Sequence, residues 1–117
     1  MINLEQFYAC VEGDADEVVS RLGGSESMVR RFLKKFLDDE SFALLSNSLD
    51  SGDTQAAFRG AHSLKGVAAS LGLNKLFTCS YKITELLRSG KLEEGKAAFP
   101  ELKKIYNETC DLIKELD

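Results

Sequence analysis

The chain has 117 residues, which is enough for one domain with a sizeable core. Its residues are 44% hydrophobic and 29% charged, which is the balance of a soluble globular protein. The net charge of −4 argues against a nucleic-acid partner, because no basic block is present to neutralise phosphates. No apolar run approaches the roughly 18 residues of a membrane span and no signal peptide opens the sequence, so we expect a cytoplasmic protein with no membrane partner.

The cysteines Cys10, Cys79 and Cys110 are an odd number, are widely spaced and form no CxxC pair. They fit reduced, buried thiols of a cytoplasmic protein better than a disulfide framework. The chain has a single histidine, so neither a usual zinc site nor an iron site with two histidines can be built. We therefore predict no metal and no cofactor.

Apolar residues recur every three or four positions along the chain, and no convincing strand pattern occurs, which predicts an all-α protein. The first two helical stretches end near Gly13 and at Gly23-Gly24. Ser25 is a suitable N-cap for the amphipathic helix that follows, and the apolar pattern then continues to Ser51-Gly52.

The second half of the chain contains the longer helical patterns. Asp53 is predicted to cap a helix that stops at Leu71-Gly72, and another helix spans Leu73 to about Ser89. The last segment spans Lys91 to Leu116. Pro100 lies inside it, and we expect a kink or a restart there because proline lacks a backbone N–H. Amphipathic helices with short connections bury their apolar faces most simply as an antiparallel bundle.

The helix predicted after Asp53 directs the histidine away from its core stripe. Successive residues turn by about 100° around a helix, which assigns a direction to each side chain. The core stripe consists of Ala57, Ala61, Leu64, Ala68 and Leu71. His62 projects almost opposite to this stripe, at or near the surface. A phosphate-carrying histidine needs such a position, because one ring nitrogen must be free to attack phosphorus while the other can be held by a hydrogen bond.

The residues that share the histidine's face suit this chemistry. Lys65 lies one turn along and can offset the charge of a phosphoryl group, while Gly66 leaves space for its oxygens and for a partner's loop. Phe58, Ala69 and Leu73 make the face apolar, which indicates a docking surface. Simpler interpretations remain: Gly66 can serve helix packing, Lys65 can be ordinary solvated charge, and the N-terminal helix can cover Phe58 and Leu73.

The string Ala61-His62-Ser63-Leu64-Lys65-Gly66, followed six residues later by Gly72, resembles the signature of the histidine-containing phosphotransfer (HPt) family. The flanks are also similar: Leu22-Gly23-Gly24 precedes an aromatic-rich helix, and Leu49-Asp50-Ser51-Gly52-Asp53 precedes the histidine helix. The resemblance covers nearly the whole chain and is strongest from about Asp14 to Gly90.

The resemblance implies an antiparallel four-helix bundle with His62 near the middle of one core helix. Residues 1–117 would form one domain, with the core bundle at about 40–116 and short N-terminal helices packed across one end. His62 would accept a phosphoryl group from receiver-domain aspartates and return it to them, or accept it from a sensor histidine kinase, including a hybrid one. The chain would be a phosphocarrier without autokinase activity and a monomer, and its initiating methionine favours a free-standing protein.

In the family, a polar side chain from the next helix often supports the histidine ring or the phosphoryl group. Ser80, Thr84 and Arg88 occupy the candidate positions, and Thr84 and Arg88 are also expected to contact the partner. A glutamine is common where this sequence has Thr84, so the resemblance leaves open which side chain orients the histidine ring.

Two other classes of function stay open. A helical adaptor that is not phosphorylated would use the same docking face, although the presence of His62 disfavours it. An enzyme with His62 as general base needs a partner carboxylate, and no Asp or Glu lies one turn away on that face.

Ser63 points about 100° away from the histidine, which disfavours a hydrolytic triad. The chain has no GxxxxGK[ST] or GxGxxG motif for a nucleotide.

Overall fold

A computed structural model describes residues 1–117 and contains seven helices and no strand, as the apolar periodicity predicts. The helices are α1 (Leu4–Cys10), α2 (Ala15–Arg21), α3 (Glu26–Phe36), α4 (Ser41–Ser51), α5 (Thr54–Leu71), α6 (Asn74–Arg88) and α7 (Leu92–Lys114). None of them combines the length and the apolar character needed to cross a membrane.

The predicted helix ends are confirmed at the residues that matter for α5. The Asp53 carboxylate accepts a hydrogen bond of 3.0 Å from the backbone N–H of Ala56, so α5 begins with a side-chain cap. Gly72 ends the helix with φ at +68°, in the left-handed region that glycine adopts without a steric cost. In the same way, Ser25 caps α3 by accepting from the N–H of Met28. The helix that carries His62 is thus fixed at both ends.

Helices α4 to α7 form an antiparallel four-helix bundle. Short connections reverse the chain between neighbours, so α5 packs between α4 and α6, and α7 packs on α6 and returns to α4. Phe42 of α4 stacks on Tyr106 of α7 with ring centroids 3.9 Å apart, which closes the bundle. The fully buried interior of the bundle includes Leu45, Leu64, Leu76, Ile83 and Leu102.

The N-terminal helices pack across the end of the bundle where α5 stops and α6 starts, as expected. The buried Tyr8 hydroxyl of α1 donates a 2.7 Å hydrogen bond to the carbonyl oxygen of Leu71. Burial raises the pKa of Tyr8, so this hydroxyl remains a donor at neutral pH. The Arg21 guanidinium of α2 donates to the carbonyl oxygens of Ala69 and Ser70. These bonds add side-chain donors to the last carbonyls of α5, of which that of Ala69 also accepts from the backbone N–H of Gly72.

Helix α7 runs through Pro100 without interruption, so the expected restart is wrong. Proline removes one backbone N–H and leaves one carbonyl, that of Lys96, without its usual donor. Both residues are exposed, so water can satisfy that carbonyl and the helix tolerates the loss.

The cysteines are free thiols, but they are not all buried. Cys79 and Cys110 are half-buried, and burial raises the pKa of the Cys79 thiol to about 11, so it is protonated at neutral pH. Cys10 is exposed at the last position of α1, where the short helix turns its final residue away from the bundle. The expectation of buried thiols is therefore wrong for Cys10.

Two glycines of α5 have different surroundings. A Cβ added to Gly60 would lie 2.7 Å from the backbone nitrogen of Leu45 and 3.0 Å from its Cα, so the absence of a side chain lets α4 approach α5. A Cβ added to Gly66 would have no neighbour within 4 Å. Helix packing therefore depends on Gly60, and the interpretation of Gly66 as a packing glycine is wrong.

We expect Gly60→Ala to destabilise the protein by about 1–2 kcal/mol. Crowding in a packed interface destabilises a protein by about 1–3 kcal/mol. The better helix propensity of alanine offsets only about 0.5–1 kcal/mol of that loss. Gly66→Ala is the matched control on the same helix and should raise stability by about 0.5–1 kcal/mol, since only the propensity changes. Urea denaturation followed by circular dichroism measures both. Equal effects of the two substitutions would contradict the close approach at Gly60.

Candidate functional site

His62 lies at the middle of α5 on its exposed face. The five residues of the predicted core stripe are all buried, which confirms the direction assigned to the histidine from the sequence. No side chain of the protein hydrogen-bonds to the imidazole, although two hydroxyls and a guanidinium of α6 were expected near it. The imidazole is thus open to an incoming group.

The aromatic ring of Phe58 lies beside the imidazole. The ring centroids of Phe58 and His62 are 5.6 Å apart and their planes differ by 14°, which is an offset stack. The guanidinium carbon of Arg88 lies 5.0 Å from the centroid of the Phe58 ring. A 3.1 Å ion pair joins Arg88 to Glu85 on α6. Helix α6 therefore reaches the neighbour of His62 and not His62 itself.

Lys65 is half-buried on the same face of α5, one turn from His62. Its ammonium nitrogen lies 5.5 Å from the ring centroid of Tyr81 on α6, within the range of a cation–π contact. Tyr81 is 51% exposed, so the contact lies at the surface. The cation predicted near the histidine is therefore present, and an aromatic ring of α6 holds it.

A groove between α3, α4 and α5 begins beside Gly66, and sequence reasoning missed it. Gly66 and Val67 line it from α5, and Phe32 of α3 and Leu44 of α4 line it with side chains that are 37% and 40% exposed. Each of these two side chains occurs in an apolar stretch, and nothing local marks it as exposed. The number of apolar residues in α3 could have predicted an exposed one. Val29, Leu33 and Phe36 already occupy the buried face of the helix, so Phe32 must lie outside it.

Two of the predicted docking residues are not on the surface. Leu73 is 0% exposed because α5 has ended before it, so counting helical turns from His62 no longer gives its direction. Thr84 is also 0% exposed, and its hydroxyl donates a 2.6 Å hydrogen bond to the carbonyl oxygen of Ser80. The docking roles expected for Leu73 and Thr84 are therefore wrong, whereas Ala69 and Arg88 are exposed as predicted.

The hydroxyls near the histidine are engaged in the fold or buried. Ser80 is 0% exposed and its hydroxyl has no hydrogen-bond partner, so it does not support the imidazole. The hydroxyl of Ser63 accepts a 2.9 Å hydrogen bond from the hydroxyl of Ser41. Ser63 thus links α5 to α4, which argues further against a serine nucleophile activated by His62. No group of three His, Cys, Asp or Glu side chains is arranged to hold a metal ion.

The arrangement can accept a small electrophilic group from another molecule. An imidazole nitrogen is a nucleophile when neutral, and here it is exposed, with a cation one turn away and an open notch at Gly66. The surroundings supply no enclosed pocket over the ring. A reacting group therefore reaches the ring directly from solvent.

Comparison with known proteins agrees with this geometry. The chain is similar to the phosphorelay intermediate protein rdeA of Dictyostelium discoideum, with 24% identity over 104 residues. The aligned region is 87% of this chain and 41% of that relative, so the chain spans less than half of the relative's length. No solved structure gives a significant match. The model of the Hpt domain matches residues 27–112, which include His62, helices α4 to α6 and most of α3 and α7, and the chain therefore belongs to the Hpt family of histidine-containing phosphotransfer domains.

Proposed function

We propose that this chain carries a phosphoryl group on His62 between proteins of a phosphorelay. One observation supports the site most directly: a histidine phosphotransfer domain needs an accessible histidine, and the only histidine of this chain lies exposed at the middle of α5. The family match covers this residue, and the similarity to a phosphorelay intermediate agrees with the role.

The transfer is a displacement at phosphorus. The lone pair of a neutral imidazole nitrogen attacks the phosphorus of an aspartyl phosphate on a receiver domain. The N–P bond forms as the P–O bond to the aspartate breaks, and the aspartate leaves as a carboxylate. The second ring nitrogen keeps its proton, so the phosphorylated ring begins as a cation that can return the phosphoryl group to another receiver by the reverse step.

The neighbours of His62 have distinct roles in this proposal. The Lys65 ammonium offsets the negative charge of the phosphoryl oxygens, and Gly66 leaves room for them and for the partner. Ala69 and Arg88 form the exposed surface beside the histidine on which a receiver domain or a sensor histidine kinase docks, whereas Phe58, also expected to dock, is half-buried next to Arg88. The groove that begins at Gly66 continues this surface between α3 and α4.

The partner supplies the rest of the reaction site, including the magnesium ion and the acidic pocket of a receiver domain. The chain has no nucleotide-binding motif, so we propose a carrier without autokinase activity. The free cysteines fit a cytoplasmic location. We further propose that residues 1–117 act as one domain and as a monomer, with the N-terminal helices covering the end of the bundle.

We expect His62→Gln to abolish labelling by a phosphorylated receiver while the protein stays folded. The residue is exposed and contributes little to the core, so the melting temperature should change little. Transfer of labelled phosphate, tested for acid lability and base stability, measures the effect. Lys103→Gln is the control, because Lys103 is exposed on α7, which packs mainly on α6, and this variant should be labelled like the parent. Label on the His62→Gln protein would contradict the site, and label from ATP and Mg²⁺ alone would contradict the carrier role.

Lys65→Ala should slow transfer by about threefold to tenfold with less than about 1 kcal/mol lost in stability. A partly exposed charge contributes little to folding, but it lies one turn from the phosphoryl group. Lys103→Ala is the matched control, because it removes the same charge from α7. Rapid-quench measurement of transfer in both directions tests the role. Identical rates for the two variants would show that Lys65 acts only through the net charge of the protein.

Gly66→Gln should reduce transfer from a protein donor by at least about tenfold, a barrier increase of about 1.4 kcal/mol. The side chain enters open space, so the variant should be as thermostable as the parent or slightly more so. Labelling of His62 by acetyl phosphate needs no protein interface and should suffer less. A thermal melt and both transfer assays on one preparation separate the effects. A destabilised protein that transferred phosphate normally would contradict the notch.

A further inference from the structure

The residues expected to orient His62 do not do so. The hydroxyl of Thr84 is bonded to the backbone of its own helix, Ser80 is buried, and Arg88 lies over Phe58. An exposed imidazole without a hydrogen bond can rotate about χ1 and χ2 among several rotamers. The one ring that contacts it in a defined geometry is that of Phe58, four residues earlier on the same face of α5.

We propose that Phe58 is the positioning residue of the phosphoryl site, holding the His62 imidazole in one orientation by ring stacking. The near-parallel planes and the 5.6 Å centroid distance favour one rotamer of the imidazole over those in which the rings do not overlap. This role rests on the proposed function of His62, but the stack itself can be tested without phosphate.

Helix α6 holds the Phe58 ring in turn. Phe58 is half-buried, so only part of it is fixed by packing, and the Arg88 guanidinium lies 5.0 Å from its centroid. Glu85 fixes Arg88 through the 3.1 Å ion pair. A series of side-chain contacts therefore runs from Glu85 through Arg88 and Phe58 to the imidazole.

Orientation matters because the attacking nitrogen must align with the phosphorus and the leaving oxygen. Reactions of held groups are faster than those of freely rotating ones, and small misalignments reduce the rate. An aromatic stack of ordinary strength enriches one rotamer by about threefold to tenfold. The rate follows the population of the productive rotamer, so a change from one dominant rotamer to averaged rotamers should lower the maximal transfer rate by about twofold to threefold. It should leave receiver affinity nearly unchanged, in contrast to the loss of a docking contact.

The test compares Phe58→Leu, which removes the ring but keeps an apolar side chain, with Phe58→Tyr, which keeps the ring. Phe99→Leu is the matched control for losing a half-buried phenylalanine, because it lies on α7, which packs mainly on α6. NMR of the unphosphorylated proteins gives the His62 rotamer populations from χ1 couplings and the ring-current shifts of its carbon-bound protons. We expect a single dominant rotamer in the parent, in Phe58→Tyr and in Phe99→Leu, and averaged rotamers in Phe58→Leu.

Single-turnover transfer from a phosphorylated receiver, measured over a range of receiver concentrations, gives the second reading. We expect Phe58→Leu to lower the maximal rate by about twofold to threefold with the half-saturating concentration nearly unchanged, and Phe58→Tyr to keep the rate of the parent. Unchanged rotamers in Phe58→Leu would overturn the proposal, as would a raised half-saturating concentration at an unchanged maximal rate, which marks a docking residue. If the parent accepts no label, the function of His62 fails, and the NMR result alone decides whether Phe58 holds the ring.

Discussion

The close approach of α4 to α5 at Gly60 is the constraint on which the rest of the structure depends. The buried stripe of α5 contains Ala57, Ala61 and Ala68, whose small side chains let neighbouring helices lie near its axis. The larger side chains that fill the bundle come mostly from the helices around it. Because α5 is held on its buried side by this packing, its opposite side is left as a stiff exposed surface. His62 lies on that surface at the middle of α5. It is therefore far from the helix ends, and helix ends are where fraying is greatest.

Much of this architecture follows from local chemistry that can be read in the sequence. The stop at Gly72 and the cap at Asp53 are single-residue signals, and the apolar spacing gives the outward direction of His62 without any knowledge of its neighbours. The prediction that Leu73 is exposed is wrong because counting of helical turns does not apply beyond the end of α5. The prediction that Cys10 is buried is wrong because a short helix has too few residues to define a buried face.

The features that the sequence did not predict are contacts between helices. The roles of Gly60 and Gly66 cannot be told apart from their helical positions alone, because the difference lies in what α4 brings close to each. Likewise, the position of Arg88 over Phe58 depends on the register between α5 and α6. The groove beside Phe32 depends on how α3 lies against α4 and α5. Such registers result from packing of the whole bundle and have no local sequence signal.

The bonds that cover the end of α5 have a consequence for how the chain communicates its state. Tyr8 and Arg21 hold the last carbonyls of α5, and Asp53 holds its first turn, so adding a group at His62 has no loose element to shift. A ligand moves a conformational equilibrium only where two states of comparable free energy exist. If His62 is phosphorylated as proposed, the phosphorylated and unphosphorylated forms should therefore share one backbone shape. Under that proposal a partner would distinguish the two forms by the phosphoryl group itself, and the direction of transfer would follow from the relative stability and the concentrations of the phosphorylated partners.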